Sequence, residues 1–318
     1  MKLTQFLIPA LIVTLLIAGC PSGETTDKFP TSITTTDGLA IEFEEDSPPD
    51  TFPEMDDFGI ALKVKNKGDY TIKSGGIVAS LSGINQQDFS LAALTKKSNY
   101  NLERKDDDKQ FPGGENSVDF GNAKYKLDLS RDFPTNIQAD ICYKYRTVAA
   151  TSLCLKKDTT QYKEGERCAI NNPTLDFENS AAPLKITGMS ERRTGKNSIN
   201  LQFTIENKES GDVYKYSAFN DKCVRGSKTE DRNEKDFVDI EVTDQAKRLK
   251  FKCGDLANTN KGSVKLYEGK KIIIDCTLDT QGLQENAYLD PIDVVVDYTY
   301  RVSISKGVTI TNENAYEN

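Results

Sequence analysis

The 318-residue chain predicts an all-β fold of two tandem β-sandwich domains. Three observations carry that prediction. Apolar residues alternate at period two in short segments bounded by Gly, Pro, Asn and Asp, and no stretch keeps the 3.6-residue period of a helix for a dozen residues. Residues 137–155 are also repeated without a gap as residues 292–310. In that repeat Ile137 matches Ile292, Tyr143 matches Tyr298, Tyr145 matches Tyr300 and Arg146 matches Arg301. Two copies of one unit imply two copies of one domain.

The repeated unit reads as a strand-turn-strand hairpin. Alternation puts Ile137, Ala139, Ile141, Tyr143 and Tyr145 on one face and Gln138, Asp140, Cys142 and Lys144 on the other. Setting Cys142 opposite Cys154 brings Leu153 to Tyr143 and Leu155 to Ile141, so the inner face stays apolar. A Cys142–Cys154 disulfide would then be an outer staple on the first hairpin, because the second copy has Asp297 and Thr309 at those positions. The apex is the weak point, since Val302-Ser303-Ile304 is poor turn chemistry and Ser305-Lys306-Gly307 is a rival turn.

Lys2 followed by an apolar run from Phe6 to Ala18 reads as a signal peptide over residues 1–19, too short to span a bilayer as a mature helix. Ile17-Ala18-Gly19-Cys20 resembles the lipobox of prokaryotic lipoproteins, which implies that Cys20 is lipidated and holds the protein to the membrane. An ordinary secretory signal and an uncleaved anchor are the alternatives. Residues 20–37 are rich in Ser, Thr, Gly and Pro and read as a tether. Each reading exports the chain beyond the cytoplasmic membrane.

The first domain is expected over residues 38–160. Its strands are centred on Leu39, Ile41 and Phe43; on Ile60, Leu62 and Val64; on Ile77, Ala79 and Leu81; on Val118 and Phe120; and on Tyr125, Leu127 and Leu129, with the hairpin closing the domain. The second domain, residues 161–318, repeats that order. Leu184 and Ile186 echo the first strand, and Ile199 to Ile205 followed by Glu206-Asn207-Lys208 echo the second, with Asn207-Lys208 answering Asn66-Lys67. Glycine and asparagine tolerating positive φ account for the Asn66-Lys67-Gly68-Asp69 turn. An inserted loop, residues 209–235, carries Val213, Tyr214, Tyr216, Phe219 and Cys223. Its aromatics either form an exposed binding surface or pack under a longer strand.

The strand ending in Asn-Lys-Gly at residues 64–68 and the Tyr-x-Tyr closing unit resemble the immunoglobulin-like domains, some related to adhesion modules, of prokaryotic and especially archaeal surface proteins. The resemblance implies two immunoglobulin-like sandwiches presented outside the cell. The antibody-type core tryptophan is missing, because the chain has no Trp.

With Cys20 assigned to lipid, six cysteines remain, and an even number in an exported chain favours disulfides. Cys253 and Cys276 both point inward from their strands and are expected to meet. Cys168 and Cys223 are left to each other by elimination. No pair has C-x-x-C spacing, so neither a zinc site nor a redox pair is expected.

The chain has no histidine, which excludes a Ser-His-Asp triad, a Cys-His pair and any histidine-ligated metal. A carboxylate-pair glycosidase remains formally open, but no carboxylate sits in a distinctive motif. Asp106-Asp107-Asp108 lacks the alternating oxygen ligands and central glycine of a calcium loop and reads as solvated surface. A net charge of −8 is not built to hold nucleic acid. The expectation is therefore no enzyme, no cofactor and no metal. The partners expected are the membrane, through the lipid, and an unknown envelope protein or glycan. Function specific to this chain should lie where the copies differ, in residues 95–116 and 209–235.

Overall fold

The computed structural model describes residues 34–35, 37–161, 163–170, 174–219, 223–224 and 232–312. The signal peptide, Cys20 and most of the expected tether lie outside the described residues. The tether's end is corrected. Thr34 and Thr35 form strand β1 (Thr34–Thr35) and pair with Ile41 and Ala40, adding an edge strand to the first sheet.

The fold is all-β. In chain order β1 is followed by β2 (Leu39–Phe43), β3 (Thr51–Pro53), β4 (Asp57–Asn66), β5 (Ile77–Ser82), β6 (Thr95–Lys97), β7 (Glu115–Lys124), β8 (Phe133–Leu155) and β9 (Phe177–Asn179). Then come β10 (Leu184–Gly195), β11 (Ser198–Asn207), β12 (Asp212–Tyr214), β13 (Phe237–Asp244), β14 (Phe251–Cys253), β15 (Lys261–Lys265), β16 (Lys271–Asp279) and β17 (Tyr288–Thr311). The helical segments among the described residues are three short 3₁₀ turns. Tyr125, Leu127 and Leu129 do not form the expected strand; Tyr125 is buried but Leu127 points to solvent.

Among the described residues, two sheets have four strands, β1-β2-β4-β7 and β10-β11-β16-β14, and the third has nine, along β15-β13-β17-β8-β5-β6 with β3, β9 and β12 at its margins. Inward residues of all three sheets share one apolar core.

The expected closing hairpins do not form. Each is a single long strand, β8 of 23 residues and β17 of 24, and the two pair antiparallel from Phe133–Ile310 to Leu155–Tyr288. The physical reason lies at the supposed apex. Thr147-Val148-Ala149-Ala150-Thr151 has none of the Gly, Pro, Asn or Asp that a turn needs, and its β-branched residues favour extension.

This pairing has two-fold symmetry. Tyr143 faces Tyr300 and Tyr145 faces Tyr298, and the axis passes through the Lys144/Thr299 pair. Each strand therefore crosses the seam. The first part of β8 pairs with β5, whereas its last third pairs with β9 and touches β10 through Thr147 and Cys154. Conversely, β17 begins against β13 and ends beside β3, where Lys306 reaches Asp50 at 3.3 Å. Each half of the chain completes the other half's part of the sheet.

Four tyrosines close the seam on the inner face. Their ring centroids are 5.7 Å (Tyr143–Tyr145), 5.8 Å (Tyr143–Tyr300), 6.3 Å (Tyr145–Tyr298) and 6.2 Å (Tyr298–Tyr300) apart, mostly edge to face. Burial pushes the phenols of Tyr145, Tyr298 and Tyr300 upward. Tyr145 donates to Asn66 Oδ1 at 3.2 Å, and Tyr300 donates to Asn207 Oδ1 at 3.1 Å. Each asparagine also donates to carbonyls of its own half, from Asn66 to Tyr70 and Leu102 and from Asn207 to Gly211 and Gly269. The Asn-Lys echo thus marks a buried Tyr-Asn clamp that is built twice. Gly68 is needed there for close approach and not for positive φ, because a Cβ would sit 2.1 Å from the Tyr145 hydroxyl.

All six described cysteines are disulfide-bonded: Cys142 to Cys223, Cys154 to Cys168 and Cys253 to Cys276. The expected Cys142–Cys154 staple and the Cys168–Cys223 pairing are replaced. Without a turn, Cys142 and Cys154 are twelve positions apart along one extended strand and cannot meet.

Candidate functional site

The site begins from the outer face of the long-strand pair. There β8 presents Cys142, Lys144 and Arg146, and β17 presents their cross-strand partners Arg301, Thr299 and Asp297. Arg146 is held to Asp297 by two hydrogen bonds, at 2.6 and 2.8 Å, and this pairing raises its pKa further. The two-fold axis sends Arg301 to face Cys142, so the equivalent carboxylate is missing. The insertion supplies it. Asp212 receives two hydrogen bonds from Arg301, at 3.2 and 2.6 Å, and Arg301 also donates to the Cys223 carbonyl at 3.0 Å. Burial pushes the Asp212 carboxyl up, but the bonds from Lys235 and Arg301 outweigh it and hold it below the carboxylate range. Arg301 is 4% exposed and lies 5.0 Å from the Tyr214 ring centre.

From that anchor the insertion crosses the outer face of the sheet. β12 lies beside β17, the Tyr216 carbonyl accepts from Thr299, and Phe219, Cys223 and Val224 join Val78, Cys142, Tyr214 and Ala218 in a second apolar cluster. Tyr214 and Phe219 are buried, so packing accounts for them, while Tyr216 remains half-buried at an edge. The cross-strand position that carries Asp297 in one half carries Cys142 in the other, where it bonds to the insertion.

At the insertion's far edge is a recess of about 250 Å³, lined by Tyr70, Ile72, Lys73, Ser74, Gly75, Gly76, Lys97, Lys144, Tyr216 and Phe219. The residue 73–76 turn forms one wall, closed by the Gly76 N–H to the Lys73 carbonyl with Gly75 at a positive φ of 73°. Lys144 rises from the floor, its ammonium 4.5 Å from the Tyr216 ring centre and 5.2 Å from that of Phe219; Lys97 approaches Phe219 from β6 at 5.6 Å. Burial, and after it the adjacent Tyr70, pushes the Tyr216 phenol up to about 12, so it stays a neutral donor. Among the described residues, three lysines and no carboxylate line the recess. Both segments in which the copies differ meet here, Lys97 from the first and Tyr216 and Phe219 from the second.

Lys144 and Tyr70 were not singled out by sequence reasoning. A signal existed for Lys144, since its counterpart in the repeat is Thr299, so this outer-face position differs between two otherwise matched strands.

Other clusters are chemically quieter. A cleft of about 660 Å³ is lined by Glu42, Glu44, Glu45 and Glu115, but Lys63 and Lys65 reach Glu115 at 3.2 and 3.1 Å. Hydrogen bonds from Lys65 and Lys63 hold the Glu115 carboxyl low, the opposite of what a general acid needs. Burial pushes Glu191 up to about 7 against the Cys154 N–H, but this side chain lies in the core. Asp106 is held by Lys109 and Asp107 by Lys105, and no metal-binding cluster occurs among the described residues.

No protein-family model and no curated protein matches this chain. Among solved structures, it is similar to the secreted serine protease VesC from Vibrio cholerae, with 11% identity, 82% of this chain covered and a TM-score of 0.21. The chain spans 50% of that protein's length. It is also similar to the Enterococcus faecalis MSCRAMM ACE, described as binding its ligands by the collagen hug model, with 8% identity, coverage of 88% and 95%, and a TM-score of 0.11. Overlaps this low carry neither fold nor function to this chain, whose all-β sandwich architecture stands on its own strand pairing.

Proposed function

We propose that this protein is a non-enzymatic, cell-envelope lipoprotein that binds an extracellular protein or glycan through the recess at the strand seam. The observation that carries the reading is convergence. The two segments that distinguish the halves of the chain meet at one lysine- and tyrosine-lined recess, and a disulfide and a buried arginine hold the insertion in place. Three disulfides fit an oxidising compartment. No described helix is long and apolar enough to cross a membrane. The Ile17-Ala18-Gly19-Cys20 motif supports anchoring through a lipidated Cys20, to be checked by the mass of the N-terminal peptide. Crosslinking in intact cells, followed by identification of the attached species, tests the binding role; an ectodomain that captures nothing from any envelope fraction contradicts it.

One observation favours a second reading, a spacer or subunit of a surface layer or filament. Strands of 23 and 24 residues run about 75 Å and tie both halves into one sheet, a stiff arrangement for a spacer. Ordered self-association of the ectodomain would favour this role, and a strict monomer would count against it. A carboxylate-based carbohydrate-active enzyme is the third class. Release of sugars from cell-wall polysaccharide would be its signature.

A further inference from the structure

We propose, on the basis of the binding role above, that the recess holds a single acidic sugar residue, a uronate, with its carboxylate at the ammonium of Lys144. Charge comes first. The outer face of the long-strand pair carries three cations in a row, and the two arginines have their carboxylates: Arg146 has Asp297, and Arg301 has Asp212. Lys144 lies between them at the two-fold axis, and among the described residues its ammonium contacts the faces of Tyr216 and Phe219. Such contacts are worth about 0.5–1 kcal/mol and leave the charge open to an anion. Lys73 and Lys97 add positive charge, in a chain whose net charge is −8. Concentrated positive charge in an acidic protein focuses anions into the recess.

The kind of anion follows from the donors. A phosphate is usually cradled by backbone N–H groups or forked by arginine. Here the turn's N–H groups are already used: Ser74 donates to Asn101, Gly75 to Ser98 and Gly76 to Lys73. One floor lysine suits a monoanion. The volume, about 250 Å³, lies below the range of drug-sized sites and holds roughly eight waters at ~30 Å³ each, enough for one sugar ring. Tyr70 and Tyr216, whose hydroxyls bond to one another, and Ser74 line the recess, and the remaining capacity of these neutral hydroxyls suits ring hydroxyls.

Titration calorimetry on the soluble chain from residue 21, which leaves out the lipidated Cys20, tests this with the methyl glycosides of glucuronate and galacturonate, methyl glucoside and a capped glutamate. The expected result is uronate binding that weakens with salt, methyl glucoside binding at least tenfold weaker, and Lys144→Met losing at least tenfold. Should Lys144→Met fail to fold, Lys73→Glu at the exposed rim is expected to weaken binding severalfold. Equal binding of the neutral glucoside, preference for capped glutamate, undiminished binding by whichever of these variants folds, or no uronate binding up to about 10 mM overturns the assignment. If envelope capture survives Lys144→Met and is not competed by uronate, this inference fails while the binding role stands. Loss of all envelope capture in the unaltered protein fails both.

Discussion

Arg146 and Arg301 are identical by the repeat but occupy different physical settings. Arg146 is 43% exposed with one carboxylate partner, whereas Arg301 is 4% exposed beneath the insertion. Exposed pairs are worth about 0–1 kcal/mol, while truncating one member of a buried pair costs about 3–5 kcal/mol by stranding its partners. Arg301→Met is therefore expected to cost about 3 kcal/mol in denaturant unfolding, and Arg146→Met less than about 1 kcal/mol. Equal costs would mean that the insertion is not anchored through Arg301. Glu191 gives a second prediction. Its Oε2 accepts from the Cys154 N–H at 3.1 Å, its Oε1 has no hydrogen-bond partner among the described residues, and burial raises its pKa from 4.5 to about 7. The folded chain therefore holds this proton more tightly than the unfolded one. That contribution is complete below about 4.5 and is lost as pH rises through about 7, up to about 3 kcal/mol in all. Glu191→Gln should lack this loss, so its stability relative to the unaltered protein should rise between pH 4 and pH 8; a constant difference would contradict it.

At the scale of elements, the insertion is a strap held at two points. The Cys142–Cys223 bond spans 81 residues, and the Arg301–Asp212 pair lies close to where the insertion leaves β11. Replacing both Cys142 and Cys223 by Ala is expected to free the strap but keep the sheet. Tryptic cleavage within residues 215–235 should quicken at least about tenfold with the β-sheet circular dichroism unchanged. Collapse of the whole fold would show that the strap is a core element. The duplicated clamp makes a parallel case: Asn207→Ala leaves the Tyr300 hydroxyl and the Glu209 N–H without their acceptor and should cost about 2 kcal/mol.

The elements also show why part of the fold was legible and part was not. Alternation identified the inner and outer faces of β8, with Tyr143 and Tyr145 buried and Lys144 outside. A hairpin centred on Val148 and a straight strand assign the same residues to the same face, however, because both preserve parity. Periodicity could not separate them; only the absence of turn residues at 147–151 could. The cysteine error followed from that, since Cys142 and Cys154 meet only if the chain turns. Asn66 and Asn207 were visible as an echo, but their tyrosine partners are 79 and 93 residues away and no local pattern announces them. The recess was legible in parts, because its segments were marked by the difference between the copies, but their meeting depends on a disulfide and a strand exchange.

For the whole molecule, the central claim is that the halves are interlocked and are not beads on a string. Tandem sandwiches closed by their own hairpins would each bury a complete core and unfold independently. Here β8 and β17 each serve both halves, the tyrosine square lies on the seam, and one apolar core joins all three sheets. The recess inherits its rigidity from the same arrangement, since Lys144 stands on the two-fold axis. Differential scanning calorimetry of the mature chain tests this most directly. The account predicts one transition with equal calorimetric and van't Hoff enthalpies, a demanding result for a chain well above the ~150 residues at which two-state behaviour is usual. Two separable transitions, each with about half the enthalpy, would contradict it.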